Sequence, residues 1–277
     1  MITIPTIVVI LFLLYIFLIA PKSEKGMKKY KKTAFAHRGL HGEGRAENSM
    51  SAFSAACDAG YGIELDVRLS SDGELVVFHD DTLERVCGIE GKVIDFTADE
   101  LSKIKLSGTD DVIPRFSEVL SLVRGRVPLL VEIKENAGNS AVSHAACKML
   151  SEYEGDYIVE SFNPLSLRVV KEELPGAMRG ILSHRYYDYE QYRKPLYFLL
   201  QSLLLNFLCR PAFIAYDHKH AGAFGLKMVR AFFDTPTFAW TVRSEEEEIL
   251  AYKNGFDGII FENYLPEKSN KGKNNKK

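Results

Sequence analysis

No two cysteines in this 277-residue chain have CxxC spacing, and Cys57, Cys87, Cys147 and Cys209 stand far apart with no histidine cluster beside them. That argues against a zinc site or a disulfide scaffold and fits reduced thiols of a cytosolic compartment. Equally absent is any GxGxxG or P-loop run, the glycine-rich turns whose amides cradle a dinucleotide or a nucleotide phosphate. Charge of one sign is scarce as well: the formal net charge is −2, and basic residues gather at the two ends. No global field favours nucleic acid, and none is expected as a partner. Tryptophan occurs once, at Trp240. What the chain has in quantity is apolar residues, 46% of the total, ample for one large α/β core.

The longest apolar run lies at the start. Residues 2–20 carry no charge and are interrupted only by Thr3, Pro5 and Thr6, a length that just suffices for a transmembrane helix. No positive residue before the run and no small-x-small motif after it marks a secretory signal peptide. Lys22, Lys25, Lys28, Lys29, Lys31 and Lys32 follow in a basic linker, 21–32, opposed by Glu24. The positive-inside rule turns that flank to the cytoplasm, so the expectation is a single-pass protein of the cell membrane with a cytoplasmic main domain. A second greasy tract, 195–213, is broken by Gln201, Asn206 and Arg210 and preceded by Tyr186, Tyr187, Tyr189 and Tyr192. Two readings stay open for it: an amphipathic insertion at the bilayer, or a helix packed on the protein's own core. The tail, 267–277, is polar and lysine-rich without periodicity, the composition of a disordered basic segment.

Between these ends, over 33–266, short apolar segments alternate with helical patterns, the signature of parallel strands joined by crossover helices. Strands are expected at 33–36, 62–66, 129–133, 157–161, 177–182, 213–216, 237–241 and 258–261, with helices at 49–59, 139–152, 165–173, 221–233 and 244–254. Ser49 precedes the first helix as a cap, and Ser244 with Glu247 has capping-box spacing. Eight strands in strict alternation fit a TIM (β/α)8 barrel better than a doubly wound sheet. The strand-like segment 75–78 reads as a hairpin return extending the second strand above the barrel, and 185–210 as a hydrophobic helical insertion.

In such barrels the chemistry sits at the carboxyl ends of the strands. Those ends supply His37 and Arg38, Glu64 and Asp66, Glu132 and Lys134, Glu160 to Asn163, and Trp240. Glu64 and Asp66 are two residues apart, so a strand projects both to one face and Ile63, Leu65 and Val67 to the other. The turn at Asp72 and Gly73 then doubles the chain back and returns His79 to their level. With Glu132, these acids could share one divalent cation, and all-oxygen ligation selects calcium, magnesium or manganese over zinc or copper. Glu132 is also placed to pair with Lys134. His37 and His79 suit an acid/base pair near neutral pH, and Arg38 offers a two-pronged fork for phosphate. A cation, two histidines and an arginine suit phosphodiester cleavage. Trp240 reads as a pocket wall for a small alcohol or glycerol moiety. His41, His144, His184, His218 and His220 are assigned no role.

Taken together, His37-Arg38-Gly39, Glu47-Asn48-Ser49, ELDVRLSSDGELVVFHDDTLERVCG at 64–88, VEIK at 131–134, ESFNP at 160–164 and WTV at 240–242 resemble the glycerophosphodiester phosphodiesterases. The resemblance covers essentially all of 33–265. It implies a TIM-barrel enzyme that hydrolyses glycerophosphodiesters to an alcohol and glycerol 3-phosphate with calcium or magnesium. It also implies Glu64, Asp66 and Glu132 as metal ligands, His37 and His79 as the acid/base histidines, and Arg38 and Lys134 as contacts to phosphate and glycerol. Ala46 stands where the family usually has proline, and FENYLP replaces its usual ending after DGII, neither of which removes a chemical group from the centre. A membrane anchor would add lysophospholipids to the soluble diesters as substrates, as for a lysophospholipase D. The rival from another class is a non-catalytic, membrane-tethered module that binds such diesters or lipid head groups.

Overall fold

Apolar residues at every second position, broken by turn residues, build strands with two unlike faces. The computed structural model describes residues 3–42, 44–106, 108–135 and 138–267. Among these, nine strands form one sheet: β1 (Ala34–Ala36), β2 (Gly62–Leu69), β3 (Leu75–Val77), β4 (Leu129–Ile133), β5 (Tyr157–Ser161), β6 (Arg179–Ser183), β7 (Phe213–Asp217), β8 (Thr237–Val242) and β9 (Gly258–Phe261). Eight run parallel. The exception, β3, returns antiparallel along β2 with Val67 opposite Val77 and Leu69 opposite Leu75. Because β1 pairs with both β2 and β9, the parallel strands close into the expected barrel, and the hairpin stands where the sequence put it.

The alternation sorts side chains into two cores. Ile63, Leu65, Val131, Val159, Ile214 and Ile259 point outward and pack under the helices. Phe35, Leu130, Ile158, Phe213, Phe238 and Ile260 fill the barrel itself. Two residues further along five of these inner rows stand His37, Glu132, Glu160, Trp240 and Glu262. The barrel is therefore plugged by apolar rings at its lower end and polar at its mouth. Gly180 is required in this plug, since a Cβ there would lie 2.1 Å from the Phe213 ring.

Local signals place the helices. The helix Met50–Ala59 is capped by the Ser49 side chain, which accepts from the Ala52 amide, and stops at Gly60, where φ is 69°. Ser244 likewise accepts from the Glu247 amide at the head of Glu245–Lys253.

The expected membrane span is corrected. The N-terminal helix, Ile4–Ile19, has 16 residues, about 24 Å of rise against a hydrocarbon core of about 30 Å. No helix among the described residues is long and apolar enough to cross a membrane. Its second half leans on the domain: the rings of Phe12 and Tyr15 meet those of Phe232 and Phe224 at 5.7 and 5.8 Å. A helix leaves its last carbonyls without intrahelical partners. Here Asn206 Nδ2 donates to the Ile19 carbonyl at 3.0 Å, and Arg210 Nη1 to those of Phe17 and Ala20 at 2.8 and 3.0 Å. The linker at 21–32 is bound down too, with Met27 and Tyr30 buried and Lys31 3.3 Å from Asp257.

The insertion at 185–210 begins with two 3₁₀ turns, Tyr186–Asp188 and Glu190–Tyr192, and continues as two short helices, Pro195–Gln201 and Asn206–Cys209, with a break at Leu203, where φ is 60°. Leu203, Asn206 and Cys209 are buried, while Leu196 and Phe198 are exposed. Its second half thus joins the core, whereas the Pro195–Gln201 helix has no buried residue. Of the expected tail, 268–277 lies outside the described residues.

Candidate active site

The hairpin sets the first half of the site. The Phe78 amide donates to the Asp66 carbonyl at 2.9 Å, so His79, one residue on, follows beside the acids of β2. Arg68 Nε fixes the His79 carbonyl at 2.9 Å. His79 Nδ1 lies 2.6 Å from Asp80 Oδ1, and Arg85 holds the other oxygen of Asp80. On the far side, His37 follows β1 and its Nδ1 lies 2.5 Å from Oε2 of Glu262, the residue after β9. Arg243 Nε donates to the remaining Glu262 oxygen at 2.8 Å. Each histidine thus has Nδ1 fixed by a carboxylate, which leaves Nε2 for proton exchange.

Burial lowers the pKa of both imidazoles. For His79, burial and the positive charges of Lys134 and Arg38 outweigh Asp66 and Asp80 and bring it to about 4. For His37, burial outweighs the Glu262 hydrogen bond. Both rings are neutral at pH 7. Glu262 itself is held at about 2: burial would raise it, but the hydrogen bonds from His37 and Arg243 prevail.

The strand register aligns Asp66 with Glu132 and Glu132 with Glu160. One oxygen each from Glu64, Glu132 and Glu160 lies within 4.8 Å of the others, and all three residues are buried. The Arg38 amide donates to Glu64 Oε2 at 2.8 Å, a contact made from a left-handed turn with Arg38 at φ 56°. Asp66 is engaged on its other side, where Asn48 Nδ2 donates to Oδ2 at 2.8 Å, Lys134 Nζ is 3.1 Å from Oδ1 and Arg38 Nε is 3.6 Å from Oδ2. Lys134 also lies 2.7 Å from Glu132 Oε1, so the pairing seen in the sequence is present. Glu47 braces the loop, taking Arg38 Nη1 at 2.8 Å and Arg85 Nη2 at 2.6 Å.

These carboxylates crowd one another. Burial, then the charges of Asp66 and Glu132, raise Glu64 well above the usual value. Burial raises Glu132 to about 7 in spite of Lys134. Asp66 is held low because Lys134, His79 and Arg38 together overcome its burial. Four buried carboxylates face two cationic side chains, Lys134 and Arg38, where water screens little. That donor set, all oxygen and negative in excess, fits a hard divalent cation.

Trp240 stands beside Phe162 with ring centroids 5.5 Å apart, and Lys134 Nζ lies 5.9 Å from the Phe162 ring. His41 neighbours His37 and Glu262. His144, His218 and His220 pair elsewhere, with Glu173, Glu247 and Asp188. A separate cleft of about 400 Å³, lined by Lys29, Tyr61 and Asp156, opens at the strands' amino ends, away from this chemistry.

Sequence reasoning gave no role to Glu262, Asp80, Asn48 or Glu160. Asp80 and Asn48 had a readable signal, being next to His79 and within the Glu47-Asn48-Ser49 stretch. Glu160 repeats the pattern of Glu132, an apolar run ending in glutamate. Glu262 had none, because its partner lies 225 residues away.

The sequence profile described as the glycerophosphoryl diester phosphodiesterase family matches residues 37–265. The chain belongs to that family. A glycerophosphodiester phosphodiesterase of Caldanaerobacter subterraneus subsp. tengcongensis is 34% identical over 253 residues, covering 83% of this chain and 93% of that one. The solved structure of a glycerophosphodiester phosphodiesterase from Thermotoga maritima superposes with a TM-score of 0.64 at 28% identity, over 83% of this chain and 94% of that one. An Oleispira antarctica phosphodiesterase, solved in complex with the product sn-glycerol-3-phosphate, shares the fold with a TM-score of 0.68 at 21% identity, over 84% and 94% of the two chains. Family membership makes this chain a phosphoric diester hydrolase acting on glycerophosphodiesters.

Proposed function

We propose that the enzyme hydrolyses glycerophosphodiesters to glycerol 3-phosphate and an alcohol in a reaction that needs a divalent cation, calcium or magnesium, and two histidines. The observation that carries this reading is the pair of imidazoles, each tied through Nδ1 to a carboxylate, at the same barrel mouth as the buried acids. The product held in the Oleispira antarctica structure supports the choice of glycerol 3-phosphate. Glu64, Asp66 and Glu132 would hold the cation, which when bound supplies positive charge to the phosphoryl oxygens. Arg38 and Lys134 add charge and orient the phosphate. One neutral imidazole takes a proton from the attacking oxygen as it bonds to phosphorus. The other, which must first take up a proton because burial keeps both rings neutral at rest, gives that proton to the departing alkoxide as the phosphorus–oxygen bond breaks. Trp240 and Phe162 wall the glycerol side.

Purified protein is expected to release glycerol 3-phosphate from glycerophosphocholine. Chelation stops the release, and His37→Ala or His79→Ala each lowers kcat by roughly 10²–10⁴-fold. Turnover indifferent to chelator and to both substitutions would overturn the mechanism.

A second reading concerns lipid. We propose that the N-terminal helix lies in the surface of a bilayer, which would also bring lysophospholipids within reach of the site. Support comes from the exposed apolar side chains of its first half: Val8, Val9, Ile10 and Leu11 are each more than half exposed. Leu196 and Phe198, on the insertion that grips this helix, are exposed too. The full chain is expected to float with phosphatidylcholine–phosphatidylglycerol vesicles, and Leu11→Glu with Leu14→Glu to stay in the soluble fraction with unchanged turnover of glycerophosphocholine. A wild-type chain that never floats would refute it.

A further inference from the structure

The alignment of Asp66 with Glu132 continues onto the next strand, where Glu160 on β5 stands level with Glu132 on β4. Leu130 and Ile158, two residues earlier, lie in the barrel interior, so both glutamates project inward by the period of a strand. Glu160 is 1% exposed and its Oε2 has no hydrogen-bond partner. The cationic side chains nearby are committed to other acids. Lys134 Nζ is shared between Glu132 at 2.7 Å and Asp66 at 3.1 Å, and Arg38 between Glu47 at 2.8 Å and Asp66 at 3.6 Å. Among the described residues, no cationic side chain forms an ion pair with Glu160. A buried carboxylate oxygen without a donor is costly, and the Glu160 carboxylate belongs to a cluster in which one oxygen each of Glu64, Glu132 and Glu160 lie within 4.8 Å of one another.

We propose that Glu160 is a ligand of the divalent cation, a fourth carboxylate beside Glu64, Asp66 and Glu132, and that it tilts the site toward calcium over magnesium. The proposal deepens the metal-dependent reading above and rests on it. Calcium accepts six to eight oxygens in an adaptable shell, whereas magnesium keeps several waters and uses one or two carboxylates. A fourth protein carboxylate therefore replaces a water that calcium gives up readily and magnesium does not.

The test is titration calorimetry of the metal-free full chain with calcium chloride and with magnesium chloride, comparing wild type, Glu160→Gln and Glu132→Gln. Glu160→Gln is expected to weaken calcium binding roughly 10–100-fold and magnesium binding less. Its melting temperature without metal should not drop, since a buried carboxyl with an unpartnered oxygen gives way to a neutral amide of similar shape. Glu160→Asp keeps the charge and pulls the carboxylate back by one methylene. With terbium as the probe, luminescence lifetimes in light and heavy water should count about one more bound water in either variant than in wild type. Wild-type calcium affinity in Glu160→Gln alongside weakened binding in Glu132→Gln, or an unchanged water count in Glu160→Asp, overturns the proposal and leaves the metal site standing. A wild-type chain that binds neither cation overturns the metal-dependent reading itself, and this proposal with it.

Discussion

In the proposed mechanism, Glu262 and Asp80 decide how His37 and His79 exchange protons. A carboxylate accepting from Nδ1 fixes the ring's orientation and tautomer and stabilises the imidazolium that forms during turnover. Glu262→Gln retains an acceptor but loses the charge that holds the His37 pKa up against burial. The His37 imidazole is expected to titrate at lower pH in the variant, read from its ring-proton shifts. The drop in kcat should approach 10²-fold, the lower range for a general acid or base, with KM nearly unchanged. An unmoved titration would show that Glu262 is not coupled to His37. The two histidines were legible in the sequence, His37 at an expected strand end and His79 through the hairpin return. Glu262 became the partner of His37 only through the β1–β9 pairing that closes the barrel.

At the scale of elements, the inner rows carry a size constraint. Gly180 sits opposite Phe213, on the neighbouring strand β7, and its missing side chain is the space that the aromatic ring fills. Gly180→Ala is expected to destabilise the fold by at least about 1–3 kcal/mol through overpacking, measured as a lowered denaturant midpoint at constant slope. A midpoint within error of wild type would mean that the plug is loosely packed. The strand pattern at 177–182 announced β6 without revealing this constraint, because a glycine in a strand looks the same whether it avoids a ring or merely weakens the pairing. The 195–213 tract shows the converse. Asn206 and Arg210 read as interruptions of an apolar run, yet their side chains hold the end of the N-terminal helix.

Over the whole molecule, the buried acids make stability depend on pH and metal together. Glu132, at about 7 in the fold against a usual 4.5, favours the fold fully below about 4.5, and this contribution is lost as pH rises through about 7. Glu64 and Glu160, raised well above 4.5 by burial and by their neighbours' charges, act in the same direction. His79, at about 4 against 6.5, works oppositely: its contribution is present above 6.5 and lost as pH falls toward 4. Between about pH 7.5 and 9 histidine is almost wholly neutral in both states, so the acids dominate. With chelator, the melting temperature is expected to fall across this range, and saturating calcium or magnesium should abolish the fall by pairing the ionised carboxylates. Calorimetry at the two pH values, with and without the cation, checks this. A rise with pH in the chelated protein would contradict it.

Some properties follow from residue order because they are local. The period of two in β2 puts Glu64 and Asp66 on one face, the turn at Asp72 and Gly73 returns His79, and eight apolar segments alternating with helical ones define the barrel. The choices left to tertiary structure involve groups far apart in the chain. Closure brings Glu262 to His37, and the register of β4 with β5 sets Glu160 beside Glu132. Lys134 and Arg38 draw Asp66 toward their own side of the cluster. The apolar start of the chain shows the same division: composition made it a helix, but only packing on Phe224, Phe232, Asn206 and Arg210 decided that its second half belongs to the domain. Burial and charge pairing act through space, and adjacency along the chain does not encode them.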